Sequence, residues 1–174
     1  MKTVLKALAV SAALSFAFAA SAESLLSSPD FSAANGWSIY IHQPAKDAGS
    51  TGVFENGAAV VKSAACEKQN PTNIQLIKQI DLEAGKSYKL KFTAKADKDA
   101  SAVVAYCLSK APYTNYIQAA SVKLASGEKE YELTLPVKAD KDGGFDSPRS
   151  IRFFFGSNVD GSVSISNVSI EEVK

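Results

Sequence analysis

The sequence predicts an all-β fold built as a two-sheet sandwich. Short stretches in which apolar and polar residues alternate recur along the chain, and this period of two is typical of strands that place one face in a core. Turn residues separate the stretches at the spacing common in β-sandwiches. After the first 22 residues, no stretch has the spacing of an amphipathic helix.

The expected strands number roughly eight or nine. Asn56-Gly57 is a hairpin signal before the second of them, and Ala84-Gly85-Lys86 turns the chain into the fourth. An irregular step near Asn167 interrupts the last. The predicted strands span residues 38–42, 58–64, 74–82, 88–96, 102–108, 131–137, 151–155 and 163–170.

Several aromatic residues alternate with the predicted core and do not belong to it. In segment 151–155, the first, third and fifth residues are apolar and claim the core by period two, so Arg152 and Phe154 point to the opposite face. Tyr40 and His42 are placed on the non-core face of segment 37–42 in the same way. A neighbouring loop can cover any one such ring, but several of them together indicate an exposed binding surface.

The first 22 residues are interpreted as a secretory signal. Lys2 and Lys6 precede an apolar and small-residue run at 7–20, and 20–22 reads Ala-Ser-Ala, a cleavage site. The run is too short for a membrane span. We therefore expect a secreted or periplasmic protein whose residues 23–174 form one domain.

The charge balance argues against nucleic-acid and membrane partners. Lys2 and Lys6 are the only charged residues in the signal, so removing it changes the formal net charge from +1 to −1. A nearly neutral surface has little attraction for phosphate backbones or anionic lipid.

The chain offers little for catalysis. His42 is the only histidine, and no G-x-S-x-G nucleophile elbow is present. Many acids sit next to lysines, as in Asp97-Lys98-Asp99, which is typical of a solvated surface. We expect no enzymatic activity, although two of the 18 acids could still converge as in a small glycosidase.

The two cysteines, Cys66 and Cys107, are expected to form a disulfide. Export permits oxidation, and their number is even. The alternative is a pair of buried free thiols. No Cys/His spacing resembles a metal site.

The order of several segments resembles the carbohydrate-binding modules of families 4 and 9, in particular the bacterial endoglucanase C type within the galactose-binding-like superfamily. The most specific likeness is L-x-A-G-K-x-Y-x-L at 82–90, and the resemblance covers nearly all of the chain after the signal. The segments that carry it are 30–31, 35–40, 73–76, 82–90, 111–113, 151–153 and 163–170.

The resemblance implies a jelly-roll β-sandwich that binds, without catalysis, a single chain of a β-glucan or xylan type polysaccharide in a groove across one sheet. Tyr40 and Tyr113 match the residues that stack on sugar rings. Phe154 stands where relatives often carry Gln, so it is expected as a third platform. Gln75 and Arg152 are then the expected hydrogen-bond donors.

The family's calcium site is not expected here. Ser32 and Ser166 occupy positions where many relatives carry acids, and a hard cation prefers carboxylate oxygens. No cofactor is therefore predicted. Polysaccharides or oligosaccharides are the expected partners, together with separate glycoside hydrolases. The alternative function is an exported structural or adhesive sandwich that binds another protein.

Overall fold

The computed structural model describes residues 24–26, 31, 34–138 and 147–174. The predicted signal at 1–22 lies outside these residues. The described elements are strand β1 (Trp37–Ile41), helix α1 (Gln43–Asp47), β2 (Thr51–Glu55), β3 (Ala58–Ser63), a 3-10 turn (Pro71–Asn73), β4 (Ile74–Gln79), β5 (Ser87–Ala96), β6 (Ala100–Leu108), β7 (Ala120–Leu124), β8 (Gly127–Pro136), β9 (Arg149–Phe154) and β10 (Gly161–Glu172).

The strands form two five-stranded antiparallel sheets packed face to face. The order in one sheet, called the front sheet below, is β1-β4-β9-β6-β7. The order in the other, the back sheet, is β2-β3-β10-β5-β8. The chain crosses repeatedly between the sheets, for example from β7 to β8. This architecture confirms the predicted jelly-roll β-sandwich.

The core lies between the two sheets and is rich in aromatic rings. Phe153 of β9 is fully buried and meets Phe92 of β5 edge to face, with 5.2 Å between the ring centroids. Trp37 of β1 packs beside Phe153 at 6.2 Å. Edge-to-face pairs add to the free energy gained by burying apolar area, so these rings join the two sheets.

Two buried tyrosine hydroxyls fix the turn before β5. Tyr106 Oη accepts a hydrogen bond from the Leu82 amide at 2.9 Å and donates to the Ile80 carbonyl at 3.3 Å. Tyr88 Oη accepts from the Glu83 amide at 2.9 Å. Burial raises the pKa of Tyr106 above its usual value. The sequence pattern at 82–90 therefore serves the fold rather than a ligand.

The structure contains two strands that the sequence analysis did not predict, β2 and β7. Both are edge strands, so each has one paired neighbour and its hydrophobic alternation is weak. β2 leads into β3 through Asn56-Gly57, whose φ angles of 50° and 74° suit a type I′ hairpin turn. The predicted step near Asn167 is confirmed as a β-bulge, with Asn167 at a φ of 51°.

Truncation of Phe153 should test the core assignment. We expect Phe153→Ala to lower the free energy of unfolding by about 3–5 kcal/mol, because it leaves a cavity between the sheets. Val53→Ala is the matched control, since Val53 is 47% exposed on β2 and should cost less than about 0.5 kcal/mol. Denaturant titration of both variants measures the difference; equal losses would contradict the assignment.

Candidate functional site

The outer face of the front sheet carries a row of three side chains from three adjacent strands. The register places Tyr40 of β1 opposite Gln75 of β4, and Gln75 opposite Phe154 of β9. Directly opposed residues in an antiparallel sheet point to the same side. Because Phe153 points into the core, this row faces outward.

A groove of about 770 Å³ runs over this row. The five residues predicted to bind a ligand, Tyr40, Gln75, Tyr113, Arg152 and Phe154, all line it. The structure thus brings together residues that are up to 114 positions apart in the numbering. The remaining lining residues are His42, Asn70, Thr72, Asn73, Ile77, Cys107, Ser109 and Asn115.

Arg152 is held at the base of the groove by four hydrogen bonds and is only 8% exposed. Its Nε donates to Ser150 Oγ at 2.9 Å and one terminal nitrogen donates to Gln75 Oε1 at 3.0 Å. The other terminal nitrogen donates to the carbonyls of Leu108 and Ser109 at 3.5 and 3.2 Å. A guanidinium has five N–H hydrogens, so most of its donor capacity is used within the protein.

The Gln75 amide has a fixed orientation for the same reason. Its oxygen accepts from Arg152, while Nε2 donates to the Thr72 carbonyl at 2.8 Å. An amide nitrogen carries two hydrogens, so Gln75 can offer the groove its second N–H. The predicted role of Gln75 as a hydrogen-bond donor is compatible with this geometry.

Two half-exposed tyrosines line the groove. Tyr40 is 46% and Tyr113 is 53% exposed. Arg152 lies under the Tyr113 ring, with Cζ 5.2 Å from the ring centroid, in the range of a cation–π contact. Tyr113 has a positive φ of 56°, which a bulky residue seldom adopts without support. The loop and the guanidinium together present the ring to solvent.

The rim beside β4 depends on a glycine. Asn70 caps the 3-10 turn, with Oδ1 accepting from the Thr72 amide at 2.9 Å. Gly156, which follows β9, packs against this turn so closely that a Cβ at this position would overlap the Asn70 carbonyl oxygen. The His42 amide also donates to the Asn73 carbonyl at 2.8 Å. These contacts place the polar rim next to the row of Tyr40, Gln75 and Phe154.

Sequence reasoning missed the rim residues. Asn70, Thr72, Ser109 and Asn115 lie in turns or loops, where polar side chains are ordinary and period two gives no direction. His42 was the exception. It continues the alternation of Tyr40, and that signal was sufficient to assign it to the groove side.

The predicted Cys66–Cys107 disulfide is wrong for this structure, in which both cysteines are free thiols. Cys66 lies in the loop after β3, where its Sγ donates to Gln69 Oε1 and accepts from Asn73 Nδ2, each at 3.6 Å. Cys107 is buried in β6, and burial raises the pKa of its thiol.

The strand register explains why the two thiols do not meet. Cys107 is opposite Ser150 on β9. Cys66 contacts Asn73, which precedes β4 at the end of the sheet that is level with Phe154. From Ser150 to Phe154 the strand runs about 13 Å, whereas bridged cysteines have Cα atoms within about 7 Å. The even number of cysteines, on which the prediction rested, carries no information about this separation.

In residues 24–26, 31, 34–138 and 147–174, no three His, Cys, Asp or Glu side chains converge on a metal position. No helix in those residues has the length and apolar character needed to cross a bilayer. Of the two serines tied to the calcium prediction, Ser166 lies on β10 opposite Thr93, and Ser32 lies outside the described residues.

Comparison with solved structures relates the fold to carbohydrate-binding modules. The second N-terminal cellulose-binding domain of Cellulomonas fimi β-1,4-glucanase C is 26% identical, with a TM-score of 0.65 over 88% of this chain and 97% of that one. A family 4 carbohydrate-binding module is 24% identical, with a TM-score of 0.64 over 79% and 86%. The first N-terminal domain of the same glucanase is 19% identical, with a TM-score of 0.59 over 81% and 91%.

These matches confirm the resemblance on which the sequence analysis relied, and the chain has the fold of these modules. No protein-family model and no curated protein sequence matches the chain.

Thiol labelling should test the revised assignment of the cysteines. We expect both thiols to react under denaturing, non-reducing conditions. In the native protein Cys66 should react first, because burial keeps the Cys107 thiol protonated and covered. Mass spectrometry after alkylation, with Cys66→Ser as the control, distinguishes the sites. Recovery of an unlabelled pair from the denatured protein would restore the disulfide.

Proposed function

We propose that this protein is a non-catalytic carbohydrate-binding module that holds a single glycan chain in the front-sheet groove. The observation that carries the proposal is the placement of Tyr40 and Tyr113. Both rings are about half exposed and line one groove, beside polar groups that the protein holds in fixed positions.

The two tyrosines suit the apolar faces of sugar rings. Aromatic rings provide large, flat contact areas, and their exposure leaves those faces open to a ligand. Phe154, half-buried on β9 in the same groove, supplies an apolar floor. Ligand sites commonly combine such apolar area with a few placed polar groups.

Polar contacts to sugar hydroxyls come from the sheet and from the rim. Gln75 offers its second amide hydrogen, and Asn70, Thr72 and Asn115 contribute side chains that can both donate and accept. A hydroxyl does both as well, so this lining can pair with sugar hydroxyls. Because Gln75 is already fixed by Arg152, little rotamer entropy is lost when a ligand binds.

The comparisons support the same class of function. The matching structures include domains named for binding carbohydrate or cellulose. They are binding modules, which agrees with a non-catalytic role. On the resemblance, we propose a β-glucan or xylan type chain as the ligand and separate glycoside hydrolases as functional partners, met after export.

Alanine substitution of the tyrosines tests the groove. We expect Tyr40→Ala and Tyr113→Ala each to weaken glycan binding roughly tenfold or more, taking the ~1–3 kcal/mol of an aromatic stacking contact as the scale. Tyr40→Phe and Tyr113→Phe are the matched controls and should retain most affinity. The free energy of unfolding should change little for Tyr40→Ala, whose ring is half exposed. Tyr113→Ala also removes the cation–π contact with Arg152 and should cost about 0.5–2 kcal/mol. Affinity electrophoresis in soluble polysaccharides measures binding.

Three outcomes of these measurements would revise the proposal. Unchanged binding by both alanine variants would move the ligand away from the groove. Failure of the wild-type protein to bind any glycan would favour the structural or adhesive, protein-binding alternative. Release of reducing sugar from a retained glycan would favour a glycosidase.

We also propose that the fold does not require calcium, on the ground that Ser166 replaces an acid. The hydroxyl of Ser166 carries no charge to attract a hard cation, and β10 is already paired with β3 and β5. The melting temperature should therefore be the same in EDTA and in excess CaCl₂, with MgCl₂ as the ionic-strength control. A rise specific to CaCl₂ would show that calcium binds the native state.

A further inference from the structure

The two buried arginines of β9 differ in how their charge is balanced. Arg149 and Arg152 are three residues apart and are 7% and 8% exposed. Arg149 forms an ion pair with Asp81 at 3.1 Å, outside the groove. Arg152 lines the groove, and each of its four acceptors is neutral: a hydroxyl, an amide oxygen and two backbone carbonyls.

Neutral acceptors satisfy the hydrogen-bond geometry of Arg152, but no carboxylate among the described residues balances its positive charge. A buried charge is costly unless an opposite charge accompanies it, because the protein interior screens it weakly. The Tyr113 ring lowers that cost through its π face. A guanidinium has five N–H hydrogens, and four of those of Arg152 are used in the hydrogen bonds above. The fifth is the second hydrogen on the nitrogen that donates to Gln75, and it has no acceptor among the described residues.

The described side chains of the groove do not supply the missing negative charge. The described side chains that line the groove are aromatic, aliphatic, amide, hydroxyl, thiol, imidazole and guanidinium groups. None of these groups is a carboxylate, and burial raises the pKa of the Cys107 thiol, which keeps the thiol protonated at neutral pH. The described groove is therefore electropositive, although the protein as a whole is nearly neutral.

We infer that the groove selects a glycan that carries an anionic group, a uronic-acid carboxylate or a sulfate ester, and that Arg152 is the residue that recognises it. This inference rests on the proposed carbohydrate-binding function and narrows its substrate class. The anionic group accepts the remaining N–H of Arg152 and balances its charge. Since Tyr113 lies over the guanidinium, the anionic unit is the sugar stacked on Tyr113 or its neighbour.

The inference is compatible with the proposed backbone of the ligand. A xylan substituted with uronic acid has both the sugar chain that the resemblance implies and the carboxylate that Arg152 requires. An unsubstituted chain would fill the groove but leave the charge of Arg152 unbalanced.

Matched pairs of polysaccharides test the inference with the purified full protein. The panel consists of glucuronoxylan and polygalacturonate, each beside its carboxyl-reduced form, κ-carrageenan beside its desulfated form, and neutral β-glucan. We expect one acidic polymer to bind roughly tenfold or more tightly than its neutral counterpart, the loss expected when a charge-assisted hydrogen bond is removed. The carboxyl-reduced and desulfated forms distinguish the two sources of the charge.

Salt and substitution locate the effect at Arg152. Raising NaCl from about 0.05 M to about 0.5 M should weaken binding of the acidic polymer, because salt screens the attraction. Arg152→Gln should abolish the preference for the acidic polymer, and Arg152→Lys should keep part of it. Lys123→Gln is the matched control, since it removes an exposed cation of the same sheet outside this groove. Thermal unfolding verifies that each variant is folded.

The outcomes separate the inference about an anionic glycan from the carbohydrate-binding function on which it rests. Equal affinity for acidic and neutral forms would overturn the inference and leave the carbohydrate-binding function in place. The same holds if Lys123→Gln reduces the preference as much as Arg152→Gln. Absence of binding to every polymer in the panel would overturn both. If Arg152→Gln does not fold, the salt dependence and the matched pairs of the wild-type protein still decide.

Discussion

Strand β9 is covered on both faces, and both the core and the groove depend on that constraint. Its odd-numbered residues Ile151 and Phe153 are fully buried between the sheets. Arg152 and Phe154 occupy the other face, where they form the base of the groove. A central strand with two neighbours, β4 and β6, cannot shift its register without exchanging these two sets of side chains. The packing of Phe153 therefore fixes where Arg152 and Phe154 lie.

Arg152 connects several parts of the groove. Its hydrogen bonds reach Gln75 on β4 and the carbonyls that begin the loop after β6, and its guanidinium lies under Tyr113 of that loop. One side chain thus orients an amide from a strand and an aromatic ring from a loop. This is the type of preorganisation that lowers the entropy lost on binding.

The sequence was sufficient to predict the elements in which burial on one face produces a clear alternation. Tyr40 and Phe154 were assigned to the outer face on period two alone, and the structure places both there. Tyr113 required the resemblance, because a loop has no period. The edge strand β2 was missed, since its exposed residues carry little hydrophobic signal. The prediction of a disulfide was wrong because the two cysteines are separated by the length of about four residues of β9. The cysteine count on which the prediction rested says nothing about that distance.

The hydrogen bond between Arg152 and Gln75 has a consequence for how this protein diverges. Neither residue can be replaced alone without leaving a buried donor or acceptor unpaired, so the two positions are expected to change together among descendants of this chain. Tyr113 and Tyr40 are freer, because half of each ring is already in solvent. Single substitutions at Tyr40 or Tyr113 can therefore change the ligand preference gradually. A change at Arg152 requires a second substitution at Gln75.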